Sequence, residues 1–190
     1  MKRSFLILLA GLFLIITACN SKPLQNNDLD NNKEILLRLI NKRLSISPIV
    51  ARSKWNTKAP IDDPAREKII LDSVQAKAKK LGIDENFAKD FFQAQFEAGK
   101  IVQRQLHKQW QTQNQGLFDP SPDLANEVRP ILDSLTPQLL MELKKIKPNS
   151  CSQQSLEKLN GEARKIIASE FNDQVIKTAI KPIENYCKKH

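Results

Sequence analysis

Arg43 and Lys54 stand eleven residues apart on a stripe that is otherwise apolar or small: Leu36, Ile40, Arg43, Ser47, Val50 and Lys54 follow one another at heptad spacing. In a continuous helix both cations leave one face, about 16 Å apart along the axis. A solvated charge takes the other face. A second stripe, Phe92, Gln95, Gly99, Gln103, Leu106 and Trp110, interrupts core residues with two amides and a gap. A third carries Asp63, Arg66 and Glu67 ahead of Ile70, Val74, Ala78 and Leu81. Polar groups thus converge from three helices, and unpaired charge is costly to bury. Either they pair with one another, as Arg43 with Glu67, or they line a cavity for a ligand of opposite sign. Cations exceed anions at these positions, which favours an anionic ligand.

The rest of the chain excludes other chemistries. Among 190 residues there are 5 Gly against 10 Pro, two His and three Cys. No G-x-G-x-x-G or G-x-x-x-x-G-K-[ST] run occurs, and His and Cys never approach metal-ligand spacing. Nucleotide and metal sites therefore lack their signatures. The formal charge of +9 suits a polyanion or an anionic membrane surface. With 6% aromatics and no recognisable nucleic-acid module, nucleic acid is not an expected partner.

The elements that must position these side chains are helices, because three-and-four spacing of apolar residues runs through most of the chain and alternating strand patterns are nearly absent. The length suits one all-α domain. The first helix is expected from about Lys33 to Trp55, disturbed at Pro48. The second has Asp63 as N-cap, Pro64 at its first position and Leu81-Gly82 at its end. The third runs from Asp84 to about Gln111, roughly 40 Å. Residues 113–122 (QNQGLFDPSP) form a linker. A helix over about Asp123 to Lys147, interrupted at Pro130 and Pro137, is followed by two more, from Ser152 to Ala168 and from Asp173 to Lys188. This makes a six-helix, bundle-like domain, with a core over 33–112 and a C-terminal part over 123–190.

The N-terminus is an address. Lys2 and Arg3 precede an apolar run from Phe5 to Ile16, too short to span a bilayer, so residues 1–18 read as a signal peptide. Ile16-Thr17-Ala18-Cys19 resembles the bacterial lipoprotein box, which makes Cys19 the lipidated residue and gives the protein a membrane anchor outside the cytoplasm. Cleavage leaves 190 − 18 = 172 residues and, without Lys2 and Arg3, a charge of +7. Residues 19–32 then read as lipidated cysteine and flexible tether. Cys151 and Cys187 are left to form one disulfide in an oxidising, periplasmic compartment.

Three stretches, NKRLSISPIVARSKW (41–55), PIDDPARE (60–67) and FFQAQFEAGKIVQ (91–103), resemble the all-α, type II chorismate mutases, specifically their secreted subclass. Beyond Trp110 the likeness is looser, carried by V-R-P-I-L-D-S-L (128–135) and the two late cysteines. The resemblance implies a cofactor-free rearrangement of chorismate to prephenate. It implies that Arg43, Arg66 and Arg129 hold the two carboxylates of chorismate. Lys54 and Gln103 would donate to the ether oxygen, and Asp63 and Glu67 would sit near the ring hydroxyl. Catalysis would then fall to Lys54, Gln103 and Arg66. Relatives are commonly dimers, which leaves a homodimer open.

Two departures matter. Gly99 stands where relatives often carry Ser or Thr, so a hydroxyl contact to a substrate carboxylate is lost or taken over by water. Gln103 stands where some secreted relatives carry Glu, and an amide donates at any ordinary pH. His107 reads as a solvated flank histidine, Trp55 and Trp110 as core or pocket-wall aromatics. A non-catalytic helical lipoprotein that binds a dicarboxylate or a protein is the alternative. Pyruvate elimination from a related substrate is a third reading.

Overall fold

The structure is a computed structural model that describes residues 26–148 and 151–189. The expected signal peptide, Cys19 and the first part of the tether lie outside the described residues. Among the described residues the elements are seven α-helices and one π turn.

Helix α1, Asn26–Leu44, and helix α2, Ser47–Thr57, are the two halves of the expected first helix. The break falls at Ser45-Ile46, ahead of Pro48, which has no N–H to donate to the Leu44 carbonyl and instead occupies the first turn of α2. Arg43 and Lys54 therefore do not share one continuous helix, which corrects the single-stripe geometry. α1 also begins seven residues before Lys33, so the second half of the expected tether is helical.

Helix α3, Pro64–Leu81, starts as expected: the Asp63 carboxylate accepts from the Arg66 N–H at 3.1 Å. It ends at Gly82, whose φ of 69° lets its N–H close back on Ala78 and Lys79. Helix α4, Glu85–Thr112, is capped by Asp84, which accepts from the Phe87 N–H at 2.7 Å. It is the central element and packs against α1, α2, α3 and helix α7, Asp173–Lys189. Phe91 and Phe92 of α4 and Leu36, Leu37, Ile40 and Leu44 of α1 are fully buried. Each such side chain stabilises the fold by about 1.5–3 kcal/mol.

The linker is held against α2. Asn56 donates to the Phe118 carbonyl at 2.8 Å and accepts the Phe118 N–H at 2.9 Å, while the Trp55 indole donates to the Gly116 carbonyl at 3.2 Å. The expected fourth helix opens as a π turn, Leu124–Val128, capped by Asp123, before helix α5, Arg129–Lys145. Pro130 falls in the first turn of α5 and Pro137 inside it. Helix α6, Gln153–Ile166, is capped by Ser152. Cys151 and Cys187 are joined as expected, tying the start of α6 to the end of α7.

Candidate active site

A cavity of about 180 Å³ opens where α1 to α4 meet the start of α5. Arg43, Lys54, Asp63, Arg66, Glu67, Gly99, Gln103 and Arg129, drawn from five elements, all line it. The expected catalytic and substrate-binding residues thus all line one cavity. Five cationic side chains, Arg43, Lys54, Arg66, Lys100 and Arg129, face three anionic ones, Asp63, Glu67 and Asp133. The lining carries two positive charges in excess, which suits a compact dianion.

Each side chain is positioned by its own element. Arg43 leaves the last turn of α1, and its guanidinium carbon lies 5.3 Å from the centroid of the Phe96 ring. No carboxylate lies within ion-pair distance of it among the described residues. Burial pushes its pKa down to about 10, against the pull of Asp133, so it remains charged at neutral pH. The alternative of an internal pair of Arg43 with Glu67 does not hold; Glu67 pairs with Lys100 at 3.2 Å instead. Lys54 donates to the Ile61 carbonyl at 2.6 Å. That bond uses one of its three N–H donors. Desolvation lowers the Lys54 pKa, partly opposed by Asp63, Asp62 and Glu67 and reinforced by Lys100. Asp63 caps α3 and in doing so fixes the first turn, from which Arg66 and Glu67 emerge. Arg129 comes from the wide turn that opens α5: its N–H bonds back to the Leu124 carbonyl, and Leu124, Val128 and Arg129 all face the cavity.

Three buried side-chain atoms have no hydrogen-bond partner among the described residues: Arg43 Nε, Gln95 Oε1 and Gln103 Oε1. All three residues line this cavity. Unsatisfied polar atoms are costly in a packed interior, and all three gather at one cavity, where a ligand or solvent would satisfy them. Gln95 is anchored from the other side, donating to the Ala179 carbonyl at 2.8 Å.

Sequence reasoning assigned no role to Lys100, Ser47 or Asp133. Lys100 is 8% exposed and pairs with Glu97, Glu67 and Asp62. Its spacing from Glu97 reads as an ordinary helix-surface pair, and only the docking of α3 buries it. Asp133 follows Arg129 by one turn of α5, a signal present in V-R-P-I-L-D-S-L. His107 is not solvated as expected. Its Nε2 lies 2.8 Å from the Ala51 carbonyl, and its ring packs against Trp55 and Trp110. Those three rings form a cluster with Phe118 outside the cavity.

Comparison with known proteins points the same way. Residues 27–104 match the family model described as chorismate mutase type II. The secreted chorismate mutase of Yersinia pestis is 30% identical over 151 residues, spanning 73% of this chain and 80% of that protein. A chorismate mutase of Methanocaldococcus jannaschii is 35% identical over 88 residues, spanning 46% of this chain and 86% of its own. Among solved structures, the chorismate mutase of Burkholderia thailandensis superimposes with a TM-score of 0.72 at 29% identity, covering 80% of this chain and 99% of that one. The chain belongs to the all-α, type II chorismate mutase family.

Proposed function

We propose that this cavity rearranges chorismate to prephenate by a concerted pericyclic shift, in which one C–O bond breaks as a C–C bond forms. The reaction needs no nucleophile, general base or cofactor. It needs a flexible enolpyruvyl side chain held over the ring, and donors where negative charge grows on the ether oxygen. Arg43, Arg66 and Arg129 are suited to the first task, because a guanidinium fork can take a carboxylate in two parallel bonds. Lys54, with two N–H donors left after its bond to Ile61, and the Gln103 amide are suited to the second. Glu67 and Asp63 would accept from the ring hydroxyl. The observation that carries this reading is the meeting of Lys54 and Gln103 with three arginines in a cavity that holds every unsatisfied buried side-chain atom among the described residues.

The same reading extends to location. Relatives from Yersinia pestis and Mycolicibacterium smegmatis are named secreted chorismate mutases. Lys2-Arg3, the apolar run and Ile16-Thr17-Ala18-Cys19 support export with a lipid on Cys19, and the Cys151–Cys187 bond suits an oxidising compartment. Cys19→Ser should move the protein from the membrane to the soluble fraction; unchanged partitioning would rule out the anchor.

The test of activity is to express residues 20–190 under oxidising conditions, follow loss of chorismate spectroscopically and identify prephenate as the product. Lys54→Ala should lower kcat by about 100-fold or more. Binding of a dicarboxylate without turnover by the parent protein would favour the non-catalytic alternative.

A further inference from the structure

A Cβ placed on Gly99 would lie 3.0 Å from Ser47 Oγ, 3.9 Å from Gln103 Nε2 and 4.0 Å from Ser47 Cβ. The room left by the missing side chain on α4 is therefore filled by a hydroxyl that crosses from α2. Ser47 is 7% exposed, yet it lines the cavity. Serine at the start of a helix ordinarily caps it. Here Ile46 takes the N-cap position with no side-chain cap bond, and no other described residue engages the Ser47 hydroxyl. A hydroxyl has one O–H donor to place and two lone pairs to satisfy, and this one faces the cavity. Gln103 and Arg43 line the same cavity, and each keeps an unsatisfied atom.

We propose that Ser47 is a further substrate-binding residue, whose hydroxyl donates to a substrate carboxylate in the space that Gly99 leaves open. This rests on the chorismate mutase reading and deepens it. The hydroxyl that the sequence left to water at Gly99 is supplied from the facing helix, and the two positions act as a matched pair. Gly99 then leaves the space Ser47 uses: a Cβ there would press on Ser47 Oγ, which would have to give by a few tenths of an ångström.

The test is a swap in the exported chain with its disulfide intact. Ser47→Ala should raise KM about 10-fold or more, the worth of a hydrogen bond to a charged group, and change kcat by less than about 2-fold. Because Ser47 caps nothing, its thermal midpoint should stay at the parent value. Gly99→Ser alone crowds Ser47 and should also raise KM. The double variant Ser47→Ala/Gly99→Ser returns a hydroxyl to the same space, with its Cβ at ordinary contact distance from the alanine, and should recover most of the parent KM. A parent-like KM in Ser47→Ala, or a double variant no better than the worse single one, would overturn the proposal. Calorimetric titration with prephenate reads the same contact without turnover. If the parent bound prephenate but failed to convert chorismate, the mutase reading would fall while the titration of Ser47→Ala still decided the role of Ser47.

Discussion

Lys100 Nζ lies 3.2 Å from the Glu67 carboxylate across the contact of α3 with α4, and it also holds Glu97 at 2.6 Å and Asp62 at 3.4 Å. Burial disfavours its charge, but the hydrogen bonds to Glu97 and Glu67 outweigh that cost and leave its pKa raised. The lysine neutralises a carboxylate that lines a site built for an anion. Lys100→Met should therefore act on binding more than on the chemical step. KM is expected to rise about fivefold, corresponding to about 1 kcal/mol of restored repulsion. Three carboxylates left facing one another should also lower stability by about 1–3 kcal/mol. Steady-state kinetics together with urea unfolding checks both; an unchanged KM would mean that Glu67 is neutralised by other means.

Lys54 and Arg43 set the alkaline limit. Desolvation lowers both, Lys54 from 10.5 and Arg43 to about 10, and in the proposed mechanism each must be charged to hold the substrate. A lowered pKa means that the proton leaves earlier as pH rises. The profile of kcat/KM should accordingly fall with a midpoint below 10.5. A bound dianion favours the protonated lysine, so the fall in kcat should come at higher pH than the fall in kcat/KM. Identical limbs in the two profiles would contradict the placement of Lys54 beside a negative substrate.

Gln103 predicts the opposite limb to be absent. Its amide donates without taking up a proton, so the parent should show no loss of kcat through the range in which carboxylates ionise. Gln103→Glu must first be protonated to donate to the ether oxygen. Its activity should rise as pH falls, and its ratio to the parent at neutral pH should be smaller by 10-fold or more. A flat ratio across pH would remove Gln103 from the ether oxygen.

The caps were legible because their causes are local, whereas the interruption expected at Pro137 does not occur and α5 runs on through it. Asp63, Pro64, Gly82 and Asp84 each act within one turn of chain, and the structure has them in the roles their types suggest. The convergence of charge was legible for a related reason: Arg43, Glu67 and Gln103 interrupt apolar faces that must be inward. What stayed hidden depends on docking. Lys100 becomes a buried ion-pair centre only when α3 brings Glu67 and Asp62 across. The pairing of Ser47 with Gly99 needs the break at Ser45-Ile46; Pro48 signals a disturbance there, but the apolar stripe runs on through it and hides that the helix divides. His107 reads as a flank residue until Trp55 and Trp110 close around it.

The Cys151–Cys187 bond joins the residue ahead of the α6 cap to α7, away from the residues that line the cavity. It closes a sequence separation of 36 residues. Removing it with Cys151→Ser/Cys187→Ser should cost about 2–4 kcal/mol of stability, chiefly by freeing the unfolded chain. Kinetic constants measured well below the new melting temperature should stay within about twofold of the parent. A large change in KM under those conditions would show that the C-terminal helices reach the site by a route other than α5.

That route is testable through Asn56. Its two hydrogen bonds to Phe118 pin the linker to α2, and the linker delivers the turn from which Arg129 reaches the cavity. If Arg129 completes the site within its own chain, Asn56→Ala should raise KM severalfold although Asn56 does not line the cavity, because loosening the strap lets Arg129 retreat. The accompanying loss of stability should be about 1–2 kcal/mol for two ordinary hydrogen bonds. Arg129→Ala should raise KM further and make Asn56→Ala nearly silent, since both act through the same guanidinium. Mixing supplies the second arm. Arg129→Ala and Lys54→Ala chains, combined and allowed to exchange, should regain no activity if each site draws its arginine in cis. Recovery approaching a quarter of the parent rate would instead assign the arginine to a partner subunit, because one in four sites would then be whole.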